Sequence, residues 1–404
     1  MTATVNQPER KKILLVAMPD SIHVARWLAA NSANNLDVMI FASSPMRRVH
    51  PRILQMLSNR NEDRAVFGLN LRAHKLSFLF AIPLWIFDRP FLLGGRVRGL
   101  LISRAISRFK PDLVHTMESQ NGGYSSYQAL KNKSNERRPK TLLTLFGSDL
   151  FWFSKFEYHQ RRLRELLATT DFLQAECARD ETLAKGLGFS GEFLPLLPVS
   201  AGIPSESLFE PTNVDEISAR KAIAIKGYAG KWGLAKEGLD SLGEISSELA
   251  GYTLELYSCD PKVAEHARTV FRGTDVAVKV HPKFTLSHEQ MLQLFRRSRV
   301  AIALSRSDGL PASMLEAMSQ GAFPVQTSSA CVDGWFDDGV SGLIVNEPGD
   351  SNLARKLKQV IESSELLSAA AKKNSATIRA RYSDQAIANY ASQIYKEVLQ
   401  NRNL

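Results

Sequence analysis

The sequence predicts an α/β protein with two domains, each built around a parallel β-sheet. The chain has 404 residues, which is long for one hydrophobic core and fits two domains of about 200 residues each. Short apolar runs rich in β-branched residues alternate with helical stretches in both halves, and this pattern is typical of strands joined by helices. Residues 299–327 contain one complete unit of strand, polar turn, helix and strand.

The first half begins with an apolar strand at Lys12–Met18 and a helix at Ser21–Ser32. Further apolar runs of strand length follow, with helical stretches between them. These predicted strands are Leu36–Ala42, Pro111–His115, Leu142–Phe146 and Phe172–Ala175.

The stretch Pro195–Pro211 is rich in Pro, Ser and Gly and predicts a linker between the domains. After it the alternation of strand and helix starts again. The predicted strands are Ala222–Ile225, Tyr252–Tyr257, Val276–Val280, Arg299–Leu304 and Phe323–Val325. From Leu366 onward the chain has helical periodicity and contains no Pro or Gly.

The positive charge is concentrated near the N-terminus, where residues 1–110 hold 17 Lys and Arg against 6 Asp and Glu. Within this region, 76–93 is crowded with Phe, Trp and Leu, but Pro and charged residues interrupt it, so no membrane-spanning helix is predicted. The segment 76–110 as a whole predicts docking on an anionic membrane surface. The alternative is two core helices with solvated arginines. No nucleic-acid motif accompanies the charge. The basic residues that follow the apolar stretch are Arg96, Arg98, Arg104, Arg108 and Lys110.

Two carboxylates flank the helix start in 299–327. Asp308 lies in the turn after the predicted strand, and Glu316 lies eight positions later, inside the helix. Open α/β sheets bind ligands at such a turn, because helix-start amides attract phosphate and carboxylates accept hydrogen bonds from sugar hydroxyls. The pattern therefore predicts a nucleotide sugar as ligand. The alternative is a capped surface turn with a solvated Glu316.

The run SDGLPASMLEAMSQGAFPV, residues 307–325, resembles the acidic-x7-acidic signature of family four retaining glycosyltransferases with the GT-B fold, with Asp308 in place of the usual Glu. KPDLVHTMES, TLLTLFGSDL and FDDGVSGLIVNEPGD resemble other landmarks of that family. The resemblance implies two Rossmann-like domains facing one another across a cleft. It implies an acceptor-side domain at 1–198, a nucleotide-sugar domain at 199–385 and a C-terminal helix, 386–404, that returns to the first domain.

The resemblance also implies a function: transfer of a sugar from a nucleotide diphosphate sugar to an acceptor hydroxyl, with retention of configuration. The expected acceptor is a saccharide or lipid-linked saccharide of surface polysaccharide or glycolipid biosynthesis. The expected location is cytoplasmic, with attachment to the inner face of the membrane through 76–110. No cofactor and no metal are expected, since the nucleotide sugar is a substrate. Asp308 would bind the donor sugar and Glu316 the ribose, and backbone amides would hold the diphosphate: Gly309, Leu310, Ala312, Ser313 and Met314.

Three lysines near the start of the second domain would stabilise the leaving diphosphate, because a site without metal must supply fixed cations. Lys231 and Lys236 resemble the basic pair of the family's G-R-x4-K-G run, and Lys226 is a third candidate. The alternative for each is a solvated loop lysine.

The first domain departs from the family pattern. Met18-Pro19-Asp20 replaces a Gly-Gly loop, and Phe146 replaces the usual histidine before Gly-Ser-Asp. The predicted acceptor-side residues are therefore His23, Ser148 and Asp149; the alternatives are a helix histidine packed beside Trp27 and a carboxylate that caps a helix. These departures keep open an inactive scaffolding protein that binds sugar nucleotides. A nucleotide-sugar epimerase on the same fold is a further alternative.

Overall fold

A computed structural model describes residues 10–45, 48–58, 68–88, 94–133, 138–198, 202–210, 214–346 and 352–400. The chain divides into two compact units. Unit 1 comprises residues 1–201 and 387–404, and unit 2 comprises residues 202–386. Each unit contains one parallel sheet flanked by helices, so the predicted α/β class is confirmed.

Unit 1 is built on a seven-stranded parallel sheet with the strand order β3-β2-β1-β4-β5-β6-β7. The strands are β1 Lys11–Ala17, β2 Leu36–Ala42, β3 Leu69–Ala73, β4 Leu113–Met117, β5 Lys140–Thr144, β6 Phe172–Gln174 and β7 Glu192–Phe193. The helices are α1 Ile22–Ala30, α2 Pro51–Ser58, α3 Lys75–Leu79, α4 Ala81–Phe87, α5 Arg96–Phe109, α6 Tyr124–Leu130, α7 Glu157–Leu167 and α8 Ala178–Gly186.

Strand β1 lies at the centre of this sheet, paired with β2 on one side and β4 on the other. Its residues 13–17 are completely buried, because helices cover both faces of a parallel sheet and a central strand must then be apolar throughout. The helix after it begins where predicted: the Ser21 hydroxyl accepts a hydrogen bond from the His23 backbone N–H, as in a typical N-cap.

The C-terminal helix of the chain, Asp384–Gln400, is anchored to this sheet by a buried chain of hydrogen bonds. Trp27 donates its indole N–H to the Tyr395 hydroxyl at 2.9 Å, and that hydroxyl lies 2.8 Å from His115 Nδ1. His115 Nε2 lies 2.8 Å from Thr144 Oγ1, which donates to Gln174. Since the Thr144 proton is used on Gln174, His115 must donate from Nε2 and accept at Nδ1. Burial lowers the pKa of His115 to about 3, and the neutral ring fits this direction of donation.

Unit 2 is built on a six-stranded parallel sheet with the strand order β10-β9-β8-β11-β12-β13. The strands are β8 Ala222–Lys226, β9 Thr253–Cys259, β10 Ala277–Pro282, β11 Ser298–Ala303, β12 Phe323–Thr327 and β13 Leu343–Val345. The helices are α9 Val214–Ser218, α10 Ala235–Gly243, α11 Pro261–Val270, α12 His288–Arg297, α13 Ala312–Ser319, α14 Leu353–Glu362, α15 Ser364–Arg381 and α16 Asp384–Gln400, whose last part from Ile387 belongs to unit 1.

The boundary between the two units, after residue 201, lies within the predicted linker, but residues 202–210 of that segment pack within unit 2. Ile203 forms a bridge with Ser383, and Phe209 is fully buried and accepts a hydrogen bond from Ser375. A Cβ on Gly202 would lie only 2.3 Å from the Ser383 backbone, so this close approach requires glycine. Residues 199–201 and 211 of the predicted linker lie outside the described residues.

The apolar stretch 76–93 forms two short helices, α3 and α4, as far as it is described; 89–93 lie outside the described residues. Among the described residues, no helix combines the length and the apolar character needed to cross a bilayer. Arg98 does not contribute to a basic surface as predicted. Its side chain is buried, with Nε 3.1 Å from the equally buried Asp88 Oδ2.

Candidate active site

The strand order of unit 2 places a switch point, where the chain changes direction across the sheet, next to β8. The chain runs outward from β8 through β9 to β10 and then returns to the other side of β8 as β11. Loops leave neighbouring strands in opposite directions at such a switch point, and ligands bind there in open α/β sheets. Lys226 ends β8 and Asp308 follows β11, and Lys226 Nζ lies 3.3 Å from Asp308 Oδ2. The structure thus brings together two residues predicted from separate motifs.

Lys226 is held as a cation at this position. Burial alone would lower the pKa of its amine, but the neighbouring Asp308 carboxylate, with Tyr257 and Tyr228, raises the pKa above its usual value on balance. The ammonium also lies 4.6 Å from the centroid of the Tyr228 ring, where the negative face of the ring attracts it. Asp308 remains a third exposed, so the pair keeps one side open to a ligand.

Helix α13 begins next to this pair, but fewer of its amides are available than predicted. The Gly309 N–H donates to Asp308 Oδ1 at 3.0 Å, and the Met314 N–H donates to the Pro311 carbonyl at 2.9 Å. Within the described part of the chain, the N–H groups of Ala312 and Ser313 make no hydrogen bond to the protein. Of the predicted phosphate-binding amides, those of Gly309 and Met314 are thus occupied, whereas those of Ala312 and Ser313 carry the positive end of the helix dipole.

Glu316 is buried rather than solvated, which contradicts the alternative of a surface carboxylate. It lies in the second turn of α13, and its Oε1 is 3.1 Å from His288 Nε2 at the start of α12. His288 is 43% exposed at its side chain and Glu316 is 11% exposed. The sequence reading did not identify this carboxylate–histidine pair, since 28 residues separate its members.

The loop after β8 is fastened to the loop after β11. Gly233 pairs with Ser305 as an antiparallel bridge, and the Arg306 N–H donates to the Trp232 carbonyl at 2.9 Å. A Cβ on Gly233 would lie 2.2 Å from the Tyr228 carbonyl oxygen, so only glycine fits this turn. Lys231 is exposed on the loop, with Nζ 4.6 Å from the Trp232 ring centroid.

Lys236 lies in the first turn of α10, not in the loop as predicted. Like Lys231 it is exposed to solvent. Both lysines follow β8 closely in the chain. The segments that carry them contact the loop of Asp308 through the Gly233 bridge and through Arg306. The Arg306 guanidinium also lies 3.5 Å from Glu237, the residue next to Lys236.

Two tyrosines that the sequence did not indicate also lie near the Lys226–Asp308 pair, at the carboxyl ends of β8 and β9. Tyr257, near the end of β9, is buried, and burial raises the pKa of its hydroxyl to about 12, so it stays protonated. Tyr228 lies between two ammonium groups, since Lys283 Nζ is 5.1 Å from its ring centroid and Lys226 approaches it as well. Their position just after or at the end of strands was the signal in the sequence, because parallel strands end at one edge.

The predicted acceptor-side residues lie in unit 1. The His23 ring is 5.7 Å from the Phe146 ring, centroid to centroid, so the histidine packs against the residue that replaces the family's own histidine. Ser148 is half-buried in the turn after β5.

Asp149 is buried and serves the backbone. Its Oδ2 accepts hydrogen bonds from the Ser119 N–H at 2.8 Å and the Phe146 N–H at 3.1 Å. Burial, and secondarily the Glu118 carboxylate, raises the pKa of Asp149 well above its usual value. This carboxyl group therefore ties the turn after β4 to the turn after β5, and the alternative of a cap for the following helix is wrong.

Known proteins resemble this chain in sequence and in fold. The family "Glycosyl transferases group 1" matches residues 270–377, which include the Asp308 turn and α13. No curated protein matches the sequence.

Solved structures share the fold over almost the whole chain. A glycosyltransferase from Rickettsia africae ESF-5 has a TM-score of 0.66 at 14% identity and covers 97% of this chain and 100% of that one. Sucrose-phosphate synthase from Thermosynechococcus elongatus has a TM-score of 0.65 at 14% identity, with coverage of 97% and 100%. Anabaena HepE in complex with UDP-glucose has a TM-score of 0.63 at 12% identity, with coverage of 96% and 99%. The chain thus has the predicted GT-B fold, and its residues 270–377 match the family "Glycosyl transferases group 1".

Proposed function

We propose that this protein is a retaining, metal-independent glycosyltransferase that moves a sugar from a nucleotide diphosphate sugar to an acceptor hydroxyl. The observation that carries the proposal is the ion pair between Lys226 and Asp308, 3.3 Å apart across the switch point of unit 2. It lies beside the two unbonded amides at the start of α13. Lysine cations and free backbone amides can bind a diphosphate, and the partly exposed Asp308 carboxylate can accept hydrogen bonds from sugar hydroxyls.

The charges of the site support a definite course of reaction. As the bond from the anomeric carbon to the diphosphate oxygen breaks, its electron pair stays on that oxygen, where negative charge builds. Lys231, Lys236 and the amides of Ala312 and Ser313 would stabilise that charge. The acceptor hydroxyl attacks the anomeric carbon on the same face, and its proton passes to the departing phosphate oxygen. Configuration is then retained, and lysines supply the charge that a metal ion supplies elsewhere.

Uridine diphosphate and UDP-glucose are the first donors to test, because the HepE structures with a similar fold contain them. In the proposed site Glu316 binds the ribose hydroxyls and His288 orients the carboxylate. Glu316→Ala removes a charged hydrogen-bond acceptor, which is worth about 1.5–3 kcal/mol. We expect UDP affinity, measured by calorimetry, to fall at least tenfold.

The matched control for this variant is Glu289→Ala. Glu289 follows His288 in α12 and is exposed, so its loss should leave UDP affinity unchanged. Equal UDP affinity in wild type and Glu316→Ala would remove Glu316 from the site. A wild-type protein that binds none of UDP, GDP, ADP and their sugars would contradict the proposed function and favour a scaffolding role.

We further propose that the protein works on an anionic membrane surface, on acceptors of surface polysaccharide or glycolipid biosynthesis. Large apolar side chains are exposed on α3 and α4 and at the residue between them: Leu76, Leu79, Phe80, Ile82, Ile86 and Phe87. On α5, Arg96, Arg104 and Arg108 are exposed at multiples of four residues, so they share one helix face. Apolar side chains next to a basic face suit the boundary of an anionic bilayer.

Sedimentation with phosphatidylglycerol-containing vesicles tests this surface. Arg104→Glu with Arg108→Glu should abolish binding, and raising the salt concentration should weaken the wild type. Arg161→Glu with Arg164→Glu, two exposed arginines of α7, is the control and should bind as wild type. Equal sedimentation with neutral vesicles, or no sedimentation at all, would contradict the membrane proposal.

A further inference from the structure

Unit 1 contains a cavity that none of the predicted site residues lines, apart from Arg98 of the basic run. Its volume is about 430 Å³, within the range of roughly 300–1,000 Å³ that small-molecule sites occupy. It lies where the turn after β4 meets α4, α5 and α7. The lining residues are Trp85, Asp88, Gly94, Gly95, Arg98, Gln120, Asn121, Tyr124, Tyr158 and His159.

The floor of the cavity is rigid. Asp88 accepts hydrogen bonds from the Val97 and Arg98 N–H groups at 2.9 and 2.7 Å, and so caps the start of α5. The Arg98 guanidinium binds Asp88 and the Ser43 carbonyl. Gly95 has φ +86°, and a Cβ there would lie 3.1 Å from the Ser125 hydroxyl. A floor fixed by so many bonds presents one defined shape to a ligand.

The charge of the cavity is balanced. Its fully charged lining groups, Asp88 and Arg98, are both buried and pair with each other at 3.1 Å. Neither has charge left for an ionic ligand, because breaking a buried pair leaves an uncompensated charge and is strongly destabilising. An anionic or cationic ligand is therefore disfavoured, whereas a neutral ligand loses nothing here.

The walls combine aromatic faces with planar amides. Tyr124 is fixed by its hydroxyl, 3.0 Å from His159 Nδ1, with the two rings nearly parallel at 5.9 Å. Trp85 and Tyr158 are half-buried. Within the described part of the chain, the side-chain amide of Asn121 makes no hydrogen bond. Aromatic faces cover the C–H face of a sugar ring, and an amide pairs with adjacent hydroxyls as donor and acceptor at once.

We propose that this cavity binds a neutral saccharide, stacked on Trp85 and hydrogen-bonded by Asn121. Only its further role as the acceptor site rests on the proposed function. The cavity adjoins α4, which also carries the exposed Ile86 and Phe87. A saccharide in this cavity would therefore sit beside an apolar surface, as the sugar of a lipid-linked acceptor would.

Saturation-transfer NMR with the methyl glycosides of glucose, galactose, mannose and N-acetylglucosamine tests the proposal on the full chain. At least one glycoside should bind the wild type, and Trp85→Ala and Asn121→Ala should each weaken that binding at least tenfold. Asn121→Ala breaks no internal side-chain hydrogen bond, so it keeps the test valid if Trp85→Ala folds poorly. Phe87→Ala is the matched control, an exposed aromatic of the same helix that does not line the cavity, and should bind as wild type.

UDP titration of the same samples separates this proposal from the proposed function. Glycoside binding that depends on Trp85 and Asn121 supports the saccharide site even if UDP does not bind, in which case only the proposed transferase reaction fails. The saccharide site is overturned if no methyl glycoside binds, or if both variants bind like wild type. It is also overturned if cyclohexanol, an apolar ring of similar size, competes equally well.

Discussion

Both sheets have acidic residues at their carboxyl ends, but these residues are partly exposed in unit 2 and buried in unit 1. In unit 2, Asp308 is a third exposed and paired with Lys226. In unit 1, Glu118 and Asp149 are buried, and burial raises the pKa of both carboxyl groups. Glu118 accepts hydrogen bonds from the Asn121 and Gly122 N–H groups and has φ 82°, which is rare for a residue other than glycine.

In the two proposals, this difference would let two similar sheets bind different ligands. In the proposed donor site of unit 2, Asp308 is a third exposed and its pair with Lys226 lies beside two unbonded amides, which suits an ionic donor. The acids of unit 1 are bound by backbone N–H groups and fix two turns, and the cavity beside them is neutral. In both proposals the ligand lies at the carboxyl end of a parallel sheet, and the burial and pairing of the side chains there select its charge.

The largest expected effect is on UDP affinity at the Lys226–Asp308 pair of unit 2. Lys226→Ala removes the cation at the switch point and leaves Asp308 without this cation, so UDP affinity should fall by about 1.5–3 kcal/mol, at least tenfold. Lys226→Arg keeps the charge and should retain part of the affinity. Lys221→Ala, just before the opposite end of the same strand, is exposed and serves as the control. Equal calorimetric affinity in all these variants would break the comparison.

A smaller effect is expected in the buried network of unit 1. Tyr395→Phe leaves the Trp27 N–H and His115 Nδ1 without a partner, which should lower the free energy of unfolding by about 1–3 kcal/mol. Thermal unfolding measures it. The control is Tyr390→Phe on the same helix, where the side chain is 40% exposed, and the change there should stay within about 0.5 kcal/mol. Equal losses would contradict the directed hydrogen-bond chain.

The smallest effect concerns Asp149. Its folded pKa is raised, so the unfolded state releases its proton first as the pH rises above 3.8, and this group then reduces stability with increasing pH. The substitution Asp149→Asn introduces an amide that cannot titrate, and the one amide oxygen can accept both N–H groups that now bind Oδ2. The Tm of this variant should therefore rise relative to wild type between pH 4 and pH 7. A difference that is constant with pH would contradict the raised pKa of this buried carboxyl group.

The sequence predicted the segment of the proposed donor site because its signals are local. A strand, an acidic turn and a helix are consecutive in 299–327, and the structure builds β11, the Asp308 turn and α13 from them. The lysine motifs are equally local, and Lys226 reaches Asp308 once β8 and β11 pair. The strand and helix alternation likewise predicted both sheets, but it missed the short strands β3, β7 and β13.

Other features depended on packing and could not be predicted. Arg98 looked like part of a basic run, but its ion pair with Asp88 holds it in the interior. The alternative that Asp149 caps the following helix was wrong, because this residue accepts the N–H groups of Ser119 and Phe146. The amides of Gly309 and Met314 are used by their own turn, a matter of backbone geometry that no spacing of residues reveals.

By itself the sequence determined the α/β architecture, the GT-B fold and the segment that holds the Asp308 turn, because periodicity and short motifs act over neighbouring residues. Tertiary structure decided which charges remain available: it paired Lys226 with Asp308, His288 with Glu316 and Arg98 with Asp88. It also created the neutral cavity from α4, α5, α7 and the turn after β4. Charge balance and burial depend on groups far apart in the chain, so only the folded arrangement could set them.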